Sequence, residues 1–184
     1  MDPDQTAARW LEDLTGGAPQ LPLDVDHLAE EVLGLDIQEH ADLRALLPAG
    51  DAPSGQLSGM LLPAEARIYV NAVEARRSTG RRRFTIAHEL GHWHLHRDGD
   101  DVHTRFCRPA DIGGGATELW NTRRMEGEAN RFAAALLMPA ALIRREAPDC
   151  RFSVPALALR FGVSAQAMQV RLEVLNVLPS YMRR

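Results

Sequence analysis

The stretch His88-Glu89-Leu90-Gly91-His92 places two imidazoles and a carboxylate within five residues. On a helix, residues four apart stack on one face, so both rings can reach one ion. Neutral imidazoles are good zinc ligands. Glu89, beside the first ring, can reach a water on the metal rather than the metal itself. Zinc lowers the pKa of such a water to ~7. Glu89 can then accept its proton and pass it to a leaving amine. The plainer alternative is two surface histidines on an ordinary helix. Phe84, Ile86, Ala87, Leu90 and Leu95 weigh against it, because they make this helix apolar. Gly91 leaves room for a neighbouring element to come close.

Two ligands are incomplete chemistry, since a catalytic zinc normally has three plus water. One common pattern places a glycine three residues after the second histidine and a further histidine three beyond that. Leu95 and Asp98 occupy those places, so that route is closed. His94 points away from the pair. His96 is nearer in angle but a further turn along, and packing or solvent contact is the expectation for both. The helix predicted at 123–138 offers a better third ligand. Glu126 and Asn130 are four apart on it, hence on one face. Glu126 can bind zinc, and the Asn130 side-chain oxygen can accept the free N–H of a ligand histidine, which fixes its tautomer. Glu128 projects elsewhere. Ala133 and Ala134 allow two helices to approach closely.

The elements that must position these residues read as follows. A short helix spans 5–14 and is stopped by Gly16-Gly17. A second starts at Asp24 or Asp26, both plausible N-caps, and runs to about Leu33. Residues 35–38 alternate and read as a short strand. Residues 57–62 and 67–71 read as an antiparallel hairpin, with Ile68 and Val70 on one face and Tyr69 on the other. The motif helix covers 79–96. A polar stretch from 97 to about 122 reads as a long loop, of the kind that is often functional. After the 123–138 helix, Pro139 opens a further short helix. Ser153 and Ser164 then cap two helices around a Gly162-Val163 turn. The fold class is therefore α+β: mainly helical, with a small antiparallel sheet and a C-terminal helix-turn-helix-like segment. Residues 1–147 form the main domain and 148–184 a small helical appendage.

With 184 residues, 45% of them hydrophobic and 25% charged, the chain can bury a core without disulfides. Its two cysteines, Cys107 and Cys150, sit in no CxxC pair and read as free thiols. No signal-peptide pattern and no membrane-length apolar run is found, so the expectation is cytoplasmic with no membrane partner. A net charge of -4 argues against a chain devoted wholly to nucleic acid. All its basic residues are arginine. Arg81-Arg82-Arg83 precede the His88-Glu89 motif near the start of its helix, unfavourably close to the helix's positive end. They read as a solvated run, or as partners for acidic groups.

Arg83 to His92, followed by Glu126 to Pro139, resembles the ImmA/IrrE family of bacterial metallopeptidases. So does Leu57-Ser58-Gly59-Met60-Leu61 with the strand ending in Asn71. The resemblance covers about residues 20–178. It implies a thermolysin-like zincin core and one catalytic Zn2+ ion. Its implied ligands are His88, His92 and Glu126, in agreement with the spacing, and its implied general base is Glu89. It also implies a protein substrate, a helix-turn-helix transcriptional repressor whose cleavage relieves repression. Two other readings stay open. One is a DNA-binding regulator using 148–184, although the would-be recognition helix carries only Arg171 as a cation. The other is a zinc-bound regulatory protein without turnover.

Overall fold

The computed structural model describes residues 2–17, 19–47, 57–96, 104–105 and 116–178. Helix α1 (Pro3–Thr15) starts where Asp2 caps it and Pro3 presets the first turn. Next, Asp24 accepts the His27 N–H and opens α2 (Val25–His27). The chain then widens into a π-helical turn, Leu28–Val32, instead of continuing as α-helix to Leu33. Leu33 closes it by donating to the Leu28 carbonyl.

Strands β1 (Asp36–His40), β2 (Gly59–Leu62), β3 (Arg67–Asn71) and β4 (Thr104–Arg105) form one sheet in the order β1-β3-β2-β4. The β2–β3 hairpin is antiparallel, with Met60 opposite Tyr69. Ile68 and Val70 are buried on its core face, as their alternation predicts. The sheet as a whole is mixed, however, and this corrects the antiparallel expectation. β1 runs parallel to β3, pairing Asp36 with Arg67 and His40 with Asn71. Alternation identifies a strand, but the partner and direction are set by where the chain enters, here where Asp36 N–H donates to the Ala66 carbonyl.

Asn71 joins sheet to helix. Its Oδ1 accepts the N–H groups of Val73 and Glu74, capping α3 (Ala72–Arg77), while its Nδ2 donates to the Leu57 carbonyl. Ser78 caps α4 (Thr79–Leu95), the motif helix. Helix α5 (Ala116–Leu137) starts well before residue 123. The long loop expected over 97–122 is thus shortened, because residues 116–122 are helical and 104–105 form β4. Adding turns to an established helix gains a hydrogen bond per residue, so polar Asn121 and Thr122 do not stop it. Cys107, Asp98 and the whole 48–55 loop lie outside the described residues.

Pro139 caps α6 (Ala140–Asp149), and Ser153 and Ser164 cap α7 (Val154–Phe161) and α8 (Ala165–Val174). Gly162 turns the chain between α7 and α8 at a φ of 65°; a Cβ there would lie 2.9 Å from the Pro22 Cβ. One buried cluster includes Leu11 of α1, Ile68 of β3, Ile86 and Leu90 of α4, Phe132 and Leu136 of α5, and Leu157, Phe161 and Leu172 of α7 and α8. Each arginine of the 81–83 run has partners. Arg81 pairs with Glu74 at 3.4 Å, and Arg82 bridges Asp26 and Glu39 at 2.7 and 2.8 Å. Arg83 donates to the carbonyls of Gly162 and Leu23. Cys150 is a free thiol. Among the described residues, no helix is long and apolar enough to cross a membrane.

Candidate metal centre

The site lies where α4 crosses α5. Ala129, Phe132, Ala133 and Leu136 line the buried face of α5, and Ile86, Ala87 and Leu90 that of α4. Small residues set the spacing. A Cβ on Gly91 would lie 3.1 Å from the Ala129 Cα and 3.2 Å from its carbonyl oxygen. That close approach brings the Glu126/Asn130 face of α5 onto the His88/His92 face of α4.

His88 and His92 are 0% and 2% exposed, and their Nε2 atoms are 2.9 Å apart. Glu126 presents Oε2 at 3.4 Å to His88 Nε2 and Oε1 at 3.2 Å to His92 Nε2. Three ligand atoms bonded at ~2.0–2.1 Å in a tetrahedron stand about 3.3 Å from one another. With one Glu126 oxygen facing each ring, the observed separations lie near that value, and these three residues could hold one metal ion. The nitrogen and carboxylate donor set also suits zinc.

The electrostatics agree with a neutral His88 ring facing an anion. Burial lowers the His88 pKa to about 4, although the hydrogen bond to Glu126 opposes the shift. Burial disfavours the Glu126 charge, but hydrogen bonds from His88 and His92 prevail and hold its pKa below the usual carboxylate range. Behind His88, its Nδ1 is 3.0 Å from Asn130 Oδ1, the contact expected from the spacing of Glu126 and Asn130.

Glu89 lies next to this group, 0% exposed, and neither of its carboxylate oxygens has a hydrogen-bond partner among the described residues. Burial, with the charge of Glu126, raises its pKa well above the ordinary value. A buried carboxylate without a partner is costly, and such groups concentrate where chemistry is done. The sequence also held a signal for how Glu89 is seated. A Cβ on Gly59 of β2 would come within 2.4 Å of Thr85 Cγ2 and 2.8 Å of Glu89 Oε1. The missing side chain of Gly59 is the space in which Glu89 lies.

The remaining histidines of α4 part ways. His94 turns outward and lies among Trp10 and Phe132, at ring-centroid distances of 5.2 and 5.7 Å. His96 meets the site instead. Its Nδ1 is 3.1 Å from His92 Nδ1, and its Nε2 is 3.0 Å from Glu128 Oε2. Glu128 does project away from the His88/His92 pair, as its spacing predicts, but it lands on His96.

Helix α4 thus packs against α5 on one side and against β2 and β3 of the small mixed sheet, with the three potential metal ligands between the helices. The chain belongs to the peptidase family described as IrrE N-terminal-like domain, whose model matches residues 51–173. A solved Mycobacterium tuberculosis transcriptional regulator is similar in fold, with a TM-score of 0.58 and 21% identity, covering 94% of this chain and 47% of the regulator. The chain thus spans about half the length of that protein. No curated protein matches the chain.

Proposed function

We propose that this chain is a zinc-dependent endopeptidase. His88, His92 and Glu126 hold one catalytic zinc ion, and Asn130 orients His88. The observation that carries this reading is the convergence of three ligand atoms beside the buried carboxylate of Glu89, which has no hydrogen-bond partner among the described residues. A zinc ion bound there supplies Lewis acidity, which polarises a peptide carbonyl and eases loss of a proton from water.

Glu89 takes a proton from the water that attacks the carbonyl carbon. It returns that proton to the amide nitrogen as the C–N bond breaks, so the products are a carboxylic acid and an amine. The burial that raises its pKa suits it to hold the proton between the two steps. Tight packing of α4 against α5 keeps this machinery from shifting as charge develops.

The proposed substrate is a specific protein, a helix-turn-helix repressor whose cleavage relieves repression, in a cytoplasmic setting. Direct DNA binding through 148–184 is the lesser reading, and one observation weighs against it. Arg171, the sole cation of α8, is 5% exposed and donates to the Met138 carbonyl and to Asp4. It is not presented to a phosphate backbone.

Incubation of the zinc-loaded chain with a repressor encoded beside it, read by mass spectrometry, tests the proposal. Glu89→Gln should keep stoichiometric zinc and lose cleavage by ~10²-fold or more. Equal cleavage by the variant would overturn the role of Glu89. Zinc binding with no turnover of any neighbouring repressor would favour a regulatory protein without proteolysis.

A further inference from the structure

We propose that His96 and Glu128 are positioning residues of the metal centre. Through a Glu128–His96–His92 hydrogen-bond chain they hold the His92 ring in the tautomer that leaves Nε2 open. This inference rests on the reading of His92 as a metal ligand.

The proton count around these three side chains has one solution with Nε2 open. A ring nitrogen that binds an ion must offer its lone pair, so the His92 proton resides on Nδ1. That N–H faces His96 Nδ1 at 3.1 Å, which must accept it. The His96 proton therefore sits on Nε2 and is donated to Glu128 Oε2 at 3.0 Å. An ionised carboxylate only accepts, so the chain ends without conflict. The opposite arrangement has His96 Nδ1–H donating to His92. It would turn the lone pair of His96 Nε2 onto the Glu128 oxygens and put the His92 proton on Nε2. Glu128 thus selects the direction of both hydrogen bonds.

The side chain of His96 is 8% exposed and that of Glu128 31%, so His96 shields the contact with His92 from water while its anchor remains at the surface. His88 is held by a shorter device, the single Asn130 oxygen. Helix α5 accordingly supplies a ligand at Glu126 and a support for each histidine at Glu128 and Asn130. The two supports work from different faces because His96 lies one turn beyond His92. Spacing along α5 alone conceals this.

Chelator-competition measurements of zinc affinity on the full chain test the proposal, with circular dichroism to confirm folding. His96→Leu should weaken zinc binding ~10–100-fold, the range for loss of a partner behind a metal ligand. His96→Gln should bind within a few-fold of wild type, since its amide oxygen can accept from His92 while its NH2 donates to Glu128. Glu128→Ala, at a partly exposed position, should fall between them and keeps the test alive if His96→Leu does not fold. In the zinc-loaded protein, the His92 Nδ1–H should give a slowly exchanging downfield proton resonance. It should persist in His96→Gln and disappear in His96→Leu.

Wild-type affinity in both His96→Leu and Glu128→Ala would overturn the inference and leave the metal centre standing. An equal loss in His96→Gln and His96→Leu would overturn it too, pointing to direct ligation by His96. A wild-type chain that binds zinc no better than His88→Ala would overturn the metal centre itself, and this inference with it.

Discussion

Gly91 of α4 packs so closely on Ala129 of α5 that a Cβ would lie 3.1 Å from the Ala129 Cα. The contact is between backbones, which cannot swing aside as a side chain can. Gly91→Val should therefore push the helices apart and cost about 1–3 kcal/mol of stability, as overpacking does. Because Glu126 rides on α5, zinc affinity should fall in the same variant. Urea unfolding and zinc titration check the two effects; stability lost with zinc affinity intact would mean that the helices shift without moving the ligands.

Gly59→Ala separates positioning of the base from metal binding. The added methyl would overlap Thr85 Cγ2 and Glu89 Oε1, and the next nearest atom is the Tyr69 carbonyl oxygen at 3.4 Å, so none of His88, His92 or Glu126 is among the atoms it meets first. The expected outcome is zinc stoichiometry near wild type and cleavage reduced by ~10²-fold, the scale for a displacement of about 1 Å in a catalytic group. Unchanged kcat in the variant would show that Glu89 tolerates the intrusion.

His88 should make the metal-free protein lose stability in acid. Its folded pKa of about 4 lies below the ordinary value of 6.5, because burial favours the neutral ring. Between those two values the unfolded chain binds more protons than the folded one, so stability rises with pH across that window. The full effect is on the order of 3 kcal/mol, at about 1.4 kcal/mol per pKa unit. Urea midpoints from pH 4 to 7 should rise for wild type and rise less for His88→Gln. Parallel slopes would assign the acid sensitivity elsewhere.

Arg171 predicts a structural rather than a nucleic-acid phenotype. Its guanidinium ties α8 to the Met138 carbonyl and, at 2.5 Å, to Asp4 of α1. Arg171→Ala leaves a buried carbonyl without this donor and should cost about 2 kcal/mol. Thermal unfolding should report the loss, while zinc affinity and any weak binding to duplex DNA stay the same. A selective loss of salt-sensitive DNA binding would instead revive the DNA reading.

What could be read in advance follows from the range of the interactions. The four-residue repeats of His88 with His92 and Glu126 with Asn130 are local, and so are the serine caps at 153 and 164; each is found where expected. The parallel pairing of β1 with β3 is not local, and the four-residue alternation over 35–38 carries no direction. The His96–Glu128 contact was also hidden, because it depends on how far α5 slides along α4. Gly59 is the intermediate case. A glycine inside an apolar strand advertises close approach, but only the packed fold shows that the approaching atoms belong to Thr85 and Glu89.

The arginines at the start of α4 have a mechanical consequence. Arg82 and Arg83 fasten the first turns of the helix to Leu23 and Asp26 at the start of α2, to Glu39 of β1 and to Gly162 of the α7–α8 turn, three different segments. Near the other end, His96 is braced by Glu128. Helix α4 is in effect a beam held at both ends with its reactive groups between the supports. A strain applied at those groups is passed outward to the sheet and the flanking helices rather than relieved by bending of the beam.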